Sequence, residues 1–500
     1  MAHPMAAADL NGSAPLAFVI PSKAEGSAVQ RGPSWKCFST EHSVTDTKGE
    51  RLNSNQTLNA KDLLPAIQRT LDLASQKTLS LDRRWKPRDG APVITVAGRY
   101  TARSWTQWTQ GFQYGNALLC FDLTGNKDLL TMAQRHVIAD MAEHLTHTGV
   151  HDHGFNNIST YGNLRRLMLE GRIPANEWEL HFSELALKVS GAVQAARWTS
   201  LKDGLGYIYS FNGSQSLFID TIRTLRICCM AHVLGHSLQT EQDQRISLLD
   251  RALTHAKTSA RYNIYYGEGR DHYDVPELRG RTVHEALFNP ASGVFRAPSS
   301  QQGYSPFTTW TRGLAWSMLG FPELMEFLQN AGQPETLPLL EKAARACCDF
   351  YIGQGSALDG ICYWDTGAPQ LYRLGDWQAK PADPYNIYEP VDASASAIAA
   401  QGLIRLGHAL GEKAYTQAGL TIAERLLQEP YLSTHPEHEG LLLHSIYHRP
   451  NGWDYIPPGA KVPNGESSMW GDYHLLELCL LISRIANSGY YTFFGAGHAK

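Results

Sequence analysis

The chain reads as an all-α protein, an (α/α)6 barrel formed as a toroid of six helical hairpins. Three observations predict it. From about residue 60 onward, helical text of two kinds alternates about six times. One kind places apolar residues at three- and four-residue spacing with polar residues between, as an outer helix with one wet face does. The other is rich in Gly, Ala, Leu and aromatics and poor in charge, so it must be buried on most sides. The third observation is that the intervals between the charge-poor helices vary widely, which suits a closed toroid with long loops better than a regular open solenoid.

In chain order, the outer helix Asp62–Thr78 precedes the inner helix Trp108–Asp122, and Lys127–Thr148 precedes Asn156–Glu170. Glu177–Thr199 precedes Gln215–Leu234, and Glu241–Tyr262 precedes Thr309–Leu328. The last two pairs are Pro334–Gln354 with Ser394–Leu410 and Glu412–Leu427 with Met469–Ala486. Residues 51–500 are expected to form this single domain. Residues 1–50 carry only a short apolar run, LAFVI, and no basic leader, and are expected to be a disordered extension.

Composition excludes several classes. Lys and Arg total 44 against 48 Asp and Glu, so the formal charge is −4, which argues against binding nucleic acid through its phosphates. No stretch approaches the ~18 uncharged apolar residues of a membrane span. Eight cysteines are too few for a disulfide scaffold, and the pairs Cys228-Cys229 and Cys347-Cys348 sit in apolar helical text as buried thiols would. No His/Cys cluster has metal-ligand spacing, so neither metal nor cofactor is expected. The unusual quantity is aromatic: 12 Trp, 22 Tyr and 16 Phe make 10% of the chain. They must fill a core or line a cleft.

The openings of the inner helices gather the chemically active residues, at WTQGF (Trp108–Phe112), HDHGF (His151–Phe155) and WTRGLAW (Trp310–Trp316), then at Asp392–Ser396 and Trp470–Tyr473. Asp152 is a candidate acid, although Asp also caps helices. Asp220, amid Leu217, Phe218, Ile219 and Ile222, is expected inside a buried helix, where a carboxylate is costly unless paired or functional. Arg223, three residues on, is its alternative partner. Arg312 and Trp316 share a helix face, where the guanidinium could hold a ligand carboxylate while the ring stacks; pairing with a core acid is the alternative.

Together these segments resemble glycoside hydrolase family 88, the unsaturated glucuronyl hydrolases, over about residues 100–490. WTQGF, HDHGF, FIDTIRTL, HEALFNPASG, WTRGLAW, YWDTGAP, DASASAIAA and SSMWGDYHLLE match that family's segments in order. The resemblance implies the (α/α)6 barrel and a hydrolase that releases a 4,5-unsaturated uronic acid from the non-reducing end of lyase-made oligosaccharides. In that reaction a protonated Asp donates to C4 of the enol ether, a water adds at C5, and the hemiketal opens.

By position, Asp220 would be the general acid/base, kept protonated by burial, and Asp152 the second carboxylate, kept charged. His151, His284, Gln302, Arg312 and Trp316 would line the sugar and carboxylate subsite. Trp108 and Phe211 would supply aromatic faces, and Ser394 and Ser396 are placed with the substrate-binding residues. The chain departs from the family's pattern at Leu314, Thr366 and His153, positions expected on the substrate face. The expected partner is the unsaturated oligosaccharide, with no nucleic acid and no membrane, for a monomer or homodimer. The expected location is the cytoplasm, or the periplasm if the true start lies upstream. Competing readings are a conventional β-glucuronidase, a non-catalytic uronide-binding toroid, and an aldose epimerase on a similar barrel.

Overall fold

A computed structural model describes residues 57–103, 106–331 and 334–495. The expected extension, residues 1–50, lies outside them. The architecture is an (α/α)6 barrel. Six outer helices are α1 (Leu64–Arg84), α3 (Lys127–Asp140), α6 (Glu177–Ala196), α9 (Leu248–Tyr262), α11 (Leu337–Phe350) and α13 (Lys413–Leu426). The inner layer is α2 (Gln110–Thr124), the paired α4 (His153–Asn157) and α5 (Asn163–Leu169), the paired α7 (Thr221–Thr224) and α8 (Arg226–Val233), α10 (Thr311–Ala331), α12 (Ala393–Leu410) and α14 (Met469–Ala486). The inner ring closes: α2 packs on α4 and α5, α4 on α7, α7 on α10, α10 on α12, α12 on α14, and α14 on α2.

Two glycines of the sequence motifs allow this closure. A Cβ on Gly111 would stand 2.3 Å from the Asn156 carbonyl oxygen, and one on Gly154 would stand 2.1 Å from that of Thr224. The first turns of neighbouring inner helices therefore meet backbone to backbone.

The long loops carry short antiparallel ribbons: β1 (Pro92–Val96) with β2 (Arg99–Ala102), β3 (Trp198–Ser200) with β4 (Gly206–Ile208), and β6 (Ser237–Gln239) with β7 (Arg245–Ser247). A three-stranded sheet has the order β5 (Ser216–Phe218), β8 (Glu285–Asn289), β9 (Val294–Ser299).

These strands correct two boundaries. The expected helix Gln215–Leu234 begins as β5, because Ser216–Phe218 pair with Glu285–Leu287 of β8, so helix starts only at Thr221. The expected Glu241–Tyr262 begins at Leu248, where the Ser247 side chain caps it by accepting from Asp250 N. The outer helix expected to reach Thr148 stops at Asp140 and continues as a 3-10 turn, Ala142–Leu145.

The seven cysteines among the described residues are buried and free, including both adjacent pairs. No helix among the described residues is long and apolar enough to cross a membrane. The charge-poor inner helices nonetheless bury ionic groups, among them Arg166, Arg223, Arg226, Glu323, Arg405 and Glu477.

Candidate active site

The helix openings meet at a cavity that opens to solvent. Its lining includes Trp108, His151, Asp152, Phe211, Asp220, Gln302, Arg312 and Trp316, eight of the residues singled out from sequence. One wall is aromatic. Trp108 stacks on Trp470 at 5.0 Å between centroids and leans on Phe155 at 5.8 Å, and Phe155 reaches Trp316 at 4.8 Å. Phe211 packs edge-on against Phe218 at 5.2 Å and beside His151 at 5.9 Å.

Asp220 does not sit within a helix. It occupies the turn between β5 and α7, at the N-cap of α7, and makes no side-chain cap. Its carboxylate is therefore available to the cavity. His151 Nε2 lies 3.2 Å from Asp220 Oδ1 and 3.8 Å from Asp152 Oδ1, so one imidazole joins both acids in a buried trio. Asp152 precedes α4 at its N-cap but also makes no side-chain cap hydrogen bond, which sets aside its structural alternative.

Burial pushes Asp220 up, but the hydrogen bond and charge of His151, with His284 and Arg312, more than offset it and hold the carboxyl below its ordinary value. Burial pushes Asp152 up; the charge of His151 lowers it, Asp220 raises it again, and the net is a carboxyl above its ordinary value. Burial lowers His151, but Asp152 and Asp220 outweigh it and raise the imidazole. The shifts run in opposite directions, Asp220 down and Asp152 up, with the His151 imidazole raised between them. Burial alone would raise both carboxyls; the imidazole distinguishes them.

His284 is buried immediately before β8, not on a surface loop. Its Nδ1 accepts from Gln301 N at 3.0 Å and Gln302 N at 3.3 Å, which leaves the ring proton on Nε2. That Nε2 has no protein partner, and burial holds the ring neutral with a pKa of about 4.

Arg312 lines the cavity and is also paired with a core acid. Its Nη1 pairs with Asp392 at 2.7 Å and donates to the Ile446 carbonyl; its Nη2 donates to the Tyr447 carbonyl at 2.6 Å and to Gln302 Oε1 at 3.1 Å. The guanidinium fork is thus occupied by protein, which is the core-acid alternative. It shapes the cavity wall.

Ser394 and Ser396 do not line the cavity. Ser394 Oγ donates to Asp392 Oδ1 at 2.5 Å and accepts from Trp470 Nε1 at 2.9 Å. Ser396 Oγ accepts from Cys362 N at 3.1 Å. Both hydroxyls are buried with protein partners, because they lie within the first turn of α12 beneath its Asp392 cap. The three departures from the family pattern also lie off the cavity: Leu314 is core, Thr366 Oγ1 accepts from Thr309 N, and His153 bonds Ser190 and the His147 carbonyl.

Sequence reasoning missed Tyr447 and His448, which line the cavity from a loop outside any inner helix opening. Asp454 fixes them by accepting from the backbone N–H of both. No local pattern marks such a contribution. Gln301 also lines it, and its position beside Gln302 was the available signal. Among the described residues, no group of His, Cys, Asp and Glu is arranged to hold a metal ion.

No family model matches the chain. Among curated proteins, it is 27% identical over 419 residues to the unsaturated glucuronyl hydrolase of Bacillus sp. (strain GL1), covering 80% of this chain and 92% of that protein. It is 25% identical over 449 residues to the unsaturated chondroitin disaccharide hydrolase of Streptococcus pyogenes serotype M1, covering 86% and 94%. The crystal structure of the Bacillus sp. GL1 unsaturated glucuronyl hydrolase superposes with a TM-score of 0.63 at 22% identity, over 86% of this chain and 99% of that one, which establishes the shared barrel.

Proposed function

We propose that this chain, which groups with the unsaturated glucuronyl hydrolases of glycoside hydrolase family 88, removes a 4,5-unsaturated uronic acid from the non-reducing end of oligosaccharides cut by a lyase. The observation that carries this reading is the buried trio Asp152–His151–Asp220 at an aromatic-walled cavity. We assign the reaction to residues 51–500 as one catalytic domain.

In the proposed mechanism the sugar stacks against Trp108 and the aromatic wall. Its carboxylate adds a negative charge beside Asp220 and its ring displaces water, and both effects raise the Asp220 pKa. The proton on His151 Nε2 then passes across the 3.2 Å contact to Asp220. Asp220 gives that proton to C4 of the enol ether, and positive charge develops at C5 and the ring oxygen. Asp152 stabilises it. Asp220 next removes a proton from water as the water adds to C5, and the hemiketal opens to release the keto acid and the shortened sugar. His284 does not itself line the cavity; its unpartnered Nε2 is buried near Asp220, on which its charge acts.

One observation favours a second assignment: the Asp152 carboxyl is raised above its ordinary value and that of Asp220 is lowered. In that case Asp152 protonates C4. The two assignments separate in single variants, since the acid's own Asn variant loses protonation of C4 while the other retains slow turnover.

The test is a panel of unsaturated disaccharides from chondroitin, hyaluronan, heparin, gellan and xanthan, followed by loss of near-UV enoate absorbance. Turnover of saturated p-nitrophenyl glucuronide with no activity on the panel would overturn the reading in favour of a conventional glucuronidase. We place the protein in the cytoplasm, in keeping with its free buried thiols; cell fractionation tests this.

A further inference from the structure

Beside the cavity, the interior of the barrel is filled with charge. Arg223, Arg226, Glu323, Glu326, Arg405 and Glu477 come from α7, α8, α10, α12 and α14 and are all buried. Arg223 Nη1 lies 2.8 Å from Glu323 Oε2, and its Nη2 lies 2.8 Å from Glu477 Oε2. Arg226 approaches Glu477 at 3.7 Å, and Arg405 pairs with Glu326 at 2.7 Å. Three cations face three anions. A buried ionic cluster is weak evidence for stability, because apolar groups of similar volume do as well or better. Its geometry points to another role.

Arg223 follows Asp220 by three residues, a spacing that permits a pair on one helix face. The side chain turns away instead, to α10 and α14, and only its backbone N–H donates to the Asp220 carbonyl, at 3.0 Å. The turn that carries Asp220 follows β5, where the neighbouring Ile219 N–H donates to the His284 carbonyl, and α7 packs on α4 and α10. The Arg223 ion pairs add a charged link to that frame. α7 is four residues long, too short to be stable alone, and lacks a side-chain cap. It lies directly on α10: a Cβ on Gly320 would stand 3.0 Å from Arg223 N.

We infer that Arg223 is a positioning residue, whose two ion pairs clamp the single turn of α7 to α10 and α14 and thereby hold Asp220 against His151. The clamp ties the acid to the two helices that carry Arg312, Trp316 and Trp470, which line or back the cavity. Acid and wall keep a common frame through the inner ring. The inference rests on the proposed function for its kinetic readout, but not for its structural one.

The test compares Arg223→Met and Arg223→Lys with Arg405→Met, a control from the same cluster whose ion pairs reach only Glu323 and Glu326 of α10. Both Met variants should lose thermal stability. Arg223→Met should lower kcat at least 30-fold with KM within threefold. Arg223→Lys, whose single ammonium cannot serve both glutamates, should fall between. Arg405→Met should keep kcat within threefold.

The second readout is the His151 titration in histidine-labelled protein. His151 is faced by Asp152, Asp220 and Arg197, and loss of Asp220 from its place should move the midpoint down towards the ordinary imidazole value. Because a lone buried glutamate could prevent folding, Arg223→Met is also made with Glu323→Gln, and the same kcat loss is expected. A folded double variant with wild-type kcat and an unmoved His151 titration would overturn the clamp. Wild-type protein inactive on every unsaturated disaccharide would sink the hydrolase reading instead, and the titration would still decide the clamp.

Discussion

Arg312→Met separates a wall-building arginine from a substrate-binding one. The substitution keeps the stem and removes four donor contacts: to Asp392, to the Ile446 and Tyr447 carbonyls, and to Gln302. Asp392 is left buried without its counter-charge. Breaking a buried pair in this way costs about 3–5 kcal/mol. Asp392 keeps Ser394 N at 3.1 Å, Ala395 N at 3.4 Å, Ser394 Oγ at 2.5 Å and Ile446 N at 3.4 Å, so the lower end, ~3 kcal/mol, is expected. With a urea m-value of about 3 kcal/mol/M, the unfolding midpoint should drop by roughly 1 M.

The freed Ile446–Tyr447 backbone also loosens the loop that brings Tyr447 and His448 to the cavity. A displacement of ~1 Å in such a wall can cost about 100-fold in rate, so kcat should fall along with stability. Urea denaturation and steady-state kinetics on an unsaturated disaccharide are the assays. An unchanged urea midpoint together with a raised KM and an intact kcat would refute the reasoning, since that is the signature of an arginine whose only partner is the substrate carboxylate.

Further outcomes follow from the same geometry. Asp220→Asn should lower kcat by about 10²–10⁴-fold while substrate binding persists, as measured by stopped-flow turnover and calorimetry. The rate should fall as pH rises through the elevated His151 value, because the proton destined for Asp220 is then lost. Asp152→Asn removes one of the charges that raise His151, so whatever activity remains should lose its alkaline limb at lower pH. The His151 contribution to stability has the same sign: it is present below the ordinary imidazole pKa and is lost as pH rises through the folded value. Gly154→Ala drives a methyl into the Thr224 carbonyl and should cost about 3 kcal/mol or more in urea unfolding. Ser394→Ala should cost ~1 kcal/mol through its Asp392 and Trp470 hydrogen bonds and leave KM unchanged.

The sequence alone determined the barrel, because two helix types with different polarity record which helices face water and which face each other. It also located most of the cavity, since an (α/α)6 barrel brings its inner helix openings to one end, where Trp108, Asp152, Arg312 and Trp316 lie. What depended on contacts across the ring was not legible. Asp220 looked like a helix-interior residue because Leu217, Phe218 and Ile219 suit a buried helix as well as a strand; only pairing with Glu285–Leu287 made the segment β5. Arg223 looked like a local partner because i,i+3 spacing is visible in sequence, whereas Glu323 and Glu477 are distant along the chain. The opposite pKa directions of Asp152 and Asp220 go with contacts across the ring, where His151 Nε2 lies 3.2 Å from Asp220 and 3.8 Å from Asp152. Periodicity reports the face a residue presents. A pKa depends on distances between side chains from separate elements, and only the folded ring sets those distances.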